Sequence, residues 1–170
     1  MTVATNRSYT PLTSRLLSEY LAAHYPGARI FQEYHLTLPN EAAIARAGGR
    51  VSPRYGGTII GYPDAAVFLP GEVQLWEAKA ALSFAAIGQI EGYGASWHAS
   101  VEARFAPGLP VTLHILAATD NPGVRAVAEA KGIDVVIYNP PWFATAVNRR
   151  TAEHLTVGGT QPPPAESGTS

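Results

Sequence analysis

The chain contains no cysteine. Disulfides, thiolate zinc centres and cysteine-held iron–sulfur clusters are excluded with it. Charge is scarce too: Asp, Glu, Lys and Arg make up 15% of the 170 residues, and the net charge is −1. That balance argues against a broad basic surface, so any nucleic-acid contact has to be local. No apolar run approaches the length of a membrane span, and no basic-then-apolar leader opens the sequence. The expected location is therefore cytoplasmic, with no membrane partner. Apolar side chains are plentiful at 46%, with 16 glycines and 14 prolines scattered among turns. This is a globular composition, long enough to bury one substantial core. The expected organisation is a single domain over residues 1–157, followed by a tail over 158–170 (GGTQPPPAESGTS) with the composition of a disordered segment.

Thr10-Pro11 reads as an N-cap and first helical position, opening a helix that runs to about His24 and ends at Pro26-Gly27. Leu12, Leu16, Glu19, Tyr20 and Ala23 share a stripe at helical spacing. Residues 28–38 read as one strand, followed by an insertion from Pro39 to about Gly57. The segments TIIGYPDAAVFL and EVQLWEAKA then read as a hairpin turning at Pro70-Gly71. A helix is expected from Ser83 to about Arg104 and a buried strand over VTLHILAAT. A short helix then runs from Asn121 to Ala130, the strand IDVVIY follows, and one more short helix comes after Pro140-Pro141. The expected fold class is α/β, with a mixed sheet and helices packed on it.

Three charges interrupt the apolar hairpin GYPDAAVFLPGEVQLWEAKAAL: Asp64, Glu77 and Lys79. Alternation along a strand puts Val73, Leu75, Glu77 and Lys79 on one side. A hairpin symmetric about Pro70-Gly71 pairs Leu69 with Glu72, Ala66 with Leu75, and Asp64 with Glu77; a bulge would break that register. Directly opposed carboxylates repel unless something compensates, and a hard cation such as Mg²⁺ takes carboxylate oxygens. Lys79 points to the same side, where it can hold a water or an anionic substrate oxygen.

Pro63-Asp64, the thirteen-residue step to Glu77, and Glu77-Ala78-Lys79 together resemble the signature of the PD-(D/E)XK nuclease superfamily. The resemblance spans roughly residues 10–138. It implies a restriction-endonuclease-like αβββαβ core, with a mixed central sheet flanked by helices. It also implies Asp64 and Glu77 as metal ligands and Lys79 as the residue that orients or activates the attacking water. Gln89-Ile-Glu-Gly-Tyr93 is similar to the QxxxY element of the branch containing lambda-type exonuclease and recombination-helicase nuclease domains. Residues four apart share a helix face, so Gln89 and Tyr93 can both look toward the active face of the hairpin; the resemblance implies that they support Lys79 and the substrate phosphates. Gly88 and Gly92 are expected to let that face approach the sheet. The superfamily often draws a third carboxylate from its first helix, which makes Glu19 a candidate metal ligand and Glu33 its competitor.

The implied activity is that of a Mg²⁺- (or Mn²⁺-) dependent deoxyribonuclease acting in phage DNA processing, recombination or repair. Its partner would be DNA, and it would work as a homo-oligomer or within a larger DNA-processing or viral assembly, in the host cytoplasm or the virion. The alternative is a nuclease-fold structural or DNA-binding component, for example of a virus particle, without turnover. Plainer readings stand beside each residue. Asp64 can be a turn residue after Pro63, and Glu77 and Lys79 a solvated strand end. Gln89 and Tyr93 can be ordinary surface and core residues, and Glu19 a solvated residue flanking an apolar stripe. The histidines show no metal-ligand spacing, and His114 reads as a satisfied core residue. Arg46, Arg50, Arg54, Arg149 and Arg150 read equally as phosphate contacts or as scattered loop charge.

Overall fold

The computed structural model describes residues 11–39 and 58–148. The expectations for residues 1–9, for the insertion carrying Arg46, Arg50 and Arg54, for Arg149-Arg150 and for the 158–170 tail lie outside them. The chain divides into two compact units, Met1–Asn139 and Pro140–Ser170. The first contains helix α1 (Pro11–His24), β1 (Arg29–Gln32), β2 (Leu36–Leu38), β3 (Thr58–Gly61), β4 (Ala65–Phe68) and β5 (Val73–Ala81). It continues with α2 (Phe84–Ala99), a 3₁₀ turn (Glu102–Phe105), β6 (Val111–Thr119), α3 (Pro122–Ala130) and β7 (Ile133–Ile137). In the second unit, residues 141–148 form a helix, α4.

A five-stranded sheet of order β1-β4-β5-β6-β7 carries the first unit. The β1–β4 and β4–β5 pairs are antiparallel, and β5–β6 and β6–β7 are parallel. Helix, meander, helix, strand is the αβββαβ order, with a mixed sheet between helices. Alternation along β5 separates the two faces. Trp76 meets Tyr20 of α1, ring centroids 5.7 Å apart, while Val73 and Leu75 join Ala86, Ile87, Ile90 and Trp97 of α2 in one buried cluster. Val124 and Ala128 of α3 enter that cluster too, so α2 and α3 share a face and α1 covers the other.

Two single strands of the sequence reading are each broken in two. Residues 28–38 form β1 and β2, because Glu33 takes φ +49° and turns the chain between them. Residues 58–68 form β3 and β4, separated at Tyr62-Pro63-Asp64, where proline cannot donate to a ladder. The breaks lie side by side: Glu33 N donates to Asp64 O at 2.8 Å, and Tyr34 N donates to Pro63 O at 3.0 Å. Beyond them β2 and β3 leave the main sheet and pair with each other. Thr37 of β2 is anchored past the end of α2: its N–H donates to the buried Glu102 Oε2 at 2.8 Å, and its carbonyl accepts from Val101 N at 2.8 Å.

On α1 the buried residues are Leu16, Leu17 and Leu21, with Ala23 exposed. The apolar stripe is thus rotated from the expected one, which leaves Glu19 and Tyr20 at its half-buried margin.

Candidate active site

The β4–β5 hairpin keeps the expected register: Phe68 pairs with Val73, Val67 with Gln74, Ala66 with Leu75 and Ala65 with Trp76. Leu69 N closes it on Glu72 O at 3.0 Å. The paired register ends at Ala65–Trp76; continued by one step it would set Asp64 opposite Glu77. Strand β4 begins only at Ala65, so the amide of Ala78 finds no main-chain acceptor there. Asp64 Oδ2 takes that role, accepting from Ala78 N at 2.8 Å. The carbonyls of Pro63 and Asp64 are meanwhile engaged by Tyr34 and Glu33, which fixes the aspartate's backbone from the other side.

Glu77 is only 3% exposed. A buried carboxylate is costly unless paired. Lys79, two residues along β5 and therefore on the same face, donates from Nζ to Glu77 Oε1 at 2.5 Å. The Lys79 side chain is 29% exposed, so one end of the pair is sealed and the other is open to solvent. A strand-end turn thus joins a half-buried carboxylate, a buried carboxylate and an accessible ammonium. Mg²⁺ binds one or two carboxylates and fills its remaining positions with water and phosphate oxygens. Asp64 and Glu77 fit that donor set. Among the described residues, no group of three or more His, Asp or Glu could hold a metal ion.

Glu19 is engaged elsewhere: its Oε1 accepts from Tyr138 OH at 2.6 Å. Tyr138 follows β7, two strands from β5, and its N–H donates to Ala117 O at 2.9 Å. The bond to Glu19 raises the Tyr138 pKa above the usual tyrosine value, and desolvation adds to it. Nothing in the sequence marks Tyr138 as a partner of Glu19, because 119 residues separate them. Glu33, the other candidate for third carboxylate, is exposed at the chain reversal described above.

On α2, Gln89 is exposed, and Lys79 Nζ goes to Glu77 and not to Gln89. Tyr93 is half-buried with its ring against Gly61 of β3, where an added Cβ would meet Tyr93 Cδ1 at 3.1 Å. The expected role of the helix glycines is corrected. A Cβ on Gly88 or Gly92 would meet nothing within 4 Å, whereas one on Gly94 would meet Leu113 Cδ2 at 3.0 Å. Gly94 is the glycine that brings α2 close to β6. Glu91 pairs with Lys131 at 2.7 Å on the surface.

His114 is a core residue, as its sequence context suggested. It is 6% exposed, stacks on the Trp76 indole with centroids 4.5 Å apart, and its Nε2 lies 2.8 Å from Thr112 Oγ1. Burial lowers its pKa, opposed by the nearby Asp134 and Glu72 carboxylates.

No protein-family model and no curated protein matches the chain. Among solved structures, it is similar to a repair endonuclease from Pyrococcus abyssi, with a TM-score of 0.45 and 15% sequence identity. The match covers 75% of this chain and 47% of that one, so this chain spans about half the length of the endonuclease. No helix among the described residues is long and apolar enough to cross a membrane.

Proposed function

We propose that the chain is a metal-dependent DNA nuclease that hydrolyses phosphodiester bonds. The observation that carries this reading is Asp64 fixed on the Ala78 amide, beside the buried Glu77 whose oxygen holds Lys79. A structural strand end has no need of a carboxylate buried on the same face as a reachable ammonium. Asp64 and Glu77 would hold Mg²⁺ or Mn²⁺. When bound, such an ion supplies charge neutralisation at the scissile phosphate and a lower pKa for coordinated water.

Glu77 fixes the direction of the Lys79 ammonium, and the open side of Lys79 steadies negative charge as it develops on the phosphate. Asp64 is held by a main-chain N–H and enters the site already oriented. We assign Gln89, exposed on α2, to the substrate phosphates, and Tyr93 to support of β3 through Gly61. Glu19 stands apart from the Asp64–Glu77 pair, on the α1 side of the sheet, where it accepts from Tyr138 OH. The setting we propose is DNA processing, recombination or repair.

The test is cleavage of linear, nicked and branched DNA with and without Mg²⁺ or Mn²⁺, using Asp64→Asn and Lys79→Ala as controls. Metal-dependent cutting that both variants lose supports the reading. DNA binding with no cutting under any metal replaces it with a DNA-binding or structural component without turnover.

A further inference from the structure

Phe84, the first residue of α2, is 64% exposed. The helix packs through Ala86, Ile87, Ile90 and Trp97, so this ring adds nothing to its seat on the sheet. Keeping it in water forgoes the gain of burying it. Its mount is well fixed. Leu82 N donates to Thr119 O at 2.9 Å, extending the β5–β6 ladder past Ala81, and Ala86 N donates to Ser83 O at 3.1 Å. Helix α2 packs on β5 and β6, over the face to which Leu75, Glu77 and Lys79 belong. Its first turn therefore stands over the end of β5 that carries Lys79. Five residue steps separate the Cα atoms of Lys79 and Phe84, a reach of at most about 18 Å.

An exposed ring within that reach of the proposed site has a ready partner in DNA, the flat face of a base. Bases inside a duplex have both faces covered by their neighbours, whereas terminal, flipped or single-stranded bases do not. We infer that Phe84 stacks on an unpaired base flanking the scissile phosphate, and so selects DNA ends or single-stranded segments over continuous duplex. This inference rests on the nuclease reading above. Phe105, 69% exposed in the 3₁₀ turn beyond the other end of α2, is an equally apolar ring with no such neighbour. It serves as the internal control.

The experiment uses single-stranded and frayed oligonucleotides with 2-aminopurine at successive positions around the cut. Binding is measured without divalent metal, cleavage with Mg²⁺, and melting temperature for each variant. Wild type should quench one position strongly. Phe84→Ala and Phe84→Leu should weaken binding about tenfold and lose that quench at unchanged melting temperature, while Phe84→Trp keeps both. Phe105→Ala should behave as wild type. An active wild type whose Phe84→Leu variant binds within about twofold and keeps the quench overturns this inference alone. A wild-type chain that neither binds nor cuts DNA overturns the nuclease reading and this inference with it.

Discussion

Asp64 Oδ2 lies 2.8 Å from the amide nitrogen of Ala78, so the proposed metal ligand also completes the hydrogen bonding of β5 where β4 falls away. The two roles separate by substitution. Asp64→Asn keeps an oxygen to accept the Ala78 N–H but loses the charge. Its melting temperature should stay near wild type, while the Mg²⁺-induced rise expected of a ligand that binds only the folded state disappears. Asp64→Ala leaves a buried donor unsatisfied and should cost about 1–3 kcal/mol besides. Thermal melting with and without Mg²⁺ reads both effects, and an Asp64→Asn protein with an undiminished metal response refutes the ligand assignment.

Lys79→Ala should abolish cleavage, and the burial of Glu77 adds a consequence for stability. Removing the ammonium takes the Lys79 ion pair away from a carboxylate that is 3% exposed. The loss should be about 1–3 kcal/mol, below the value for a fully buried pair because Lys79 is itself partly solvated. Mg²⁺ should restore part of it by supplying the missing positive charge, so the metal-induced rise in melting temperature should be larger in Lys79→Ala than in wild type. Equal rises would show that the ion does not reach Glu77.

The hairpin register was readable before the structure because Pro70-Gly71 sets a symmetric turn and Leu69–Glu72 closes it; pairs such as Ala66–Leu75 then follow by counting. The breaks at Glu33 and Pro63 were readable only in part. Proline within a strand run is a visible warning, but a positive φ at a glutamate leaves no trace in sequence. The hairpin pattern put Asp64 opposite Glu77, yet it could not show that the aspartate caps the Ala78 amide, since that bond depends on where β4 starts. Spacing placed Gln89 and Tyr93 on one helix row. It could not say that the row lies at the margin of the buried face, with Gln89 outside and Tyr93 against Gly61. The Tyr138–Glu19 bond joins residues whose neighbourhood is created entirely by the sheet order.

His114 should make stability fall on acidification. Its folded-state pKa is lowered by burial from the usual 6.5. Between that lowered value and 6.5 the unfolded chain binds more protons, so the stabilisation is fully present above 6.5 and is lost as pH falls through the folded value. Urea melts at about pH 7.5 and about pH 5 should show the drop, and His114→Gln should lessen it. An unaltered pH slope in His114→Gln would assign the acid sensitivity to other groups.

Glu19→Gln tests the α1 carboxylate in two ways. The Tyr138 pKa is raised above the ordinary tyrosine value because its hydroxyl donates a hydrogen bond to Glu19, which favours the protonated form. Neutralising Glu19 should move one tyrosine of the eight to lower pH in a spectrophotometric titration, with Tyr138→Phe as the blank. The same variant should leave the Mg²⁺-induced rise in melting temperature intact, because Glu19 lies on the α1 side of the sheet and Glu77 faces α2. A shifted tyrosine with an intact metal response would leave Glu19 as a structural partner of Tyr138 alone.

The glycines of α2 should respond to alanine with opposite signs. At Gly88 and Gly92 an added methyl meets nothing within 4 Å, so the helix gains propensity at no steric cost. Each substitution should raise stability by about 1 kcal/mol. At Gly94 the new Cβ would lie 3.0 and 3.1 Å from the two methyls of Leu113 on β6. Leu113 would have to shift within the packed layer between α2 and the sheet, at about 1–3 kcal/mol, which offsets the propensity gain or exceeds it. Denaturant melts should therefore place Gly88→Ala and Gly92→Ala above wild type and Gly94→Ala at or below it. A Gly94→Ala protein as stable as Gly92→Ala would mean that α2 does not rest on β6 at Leu113.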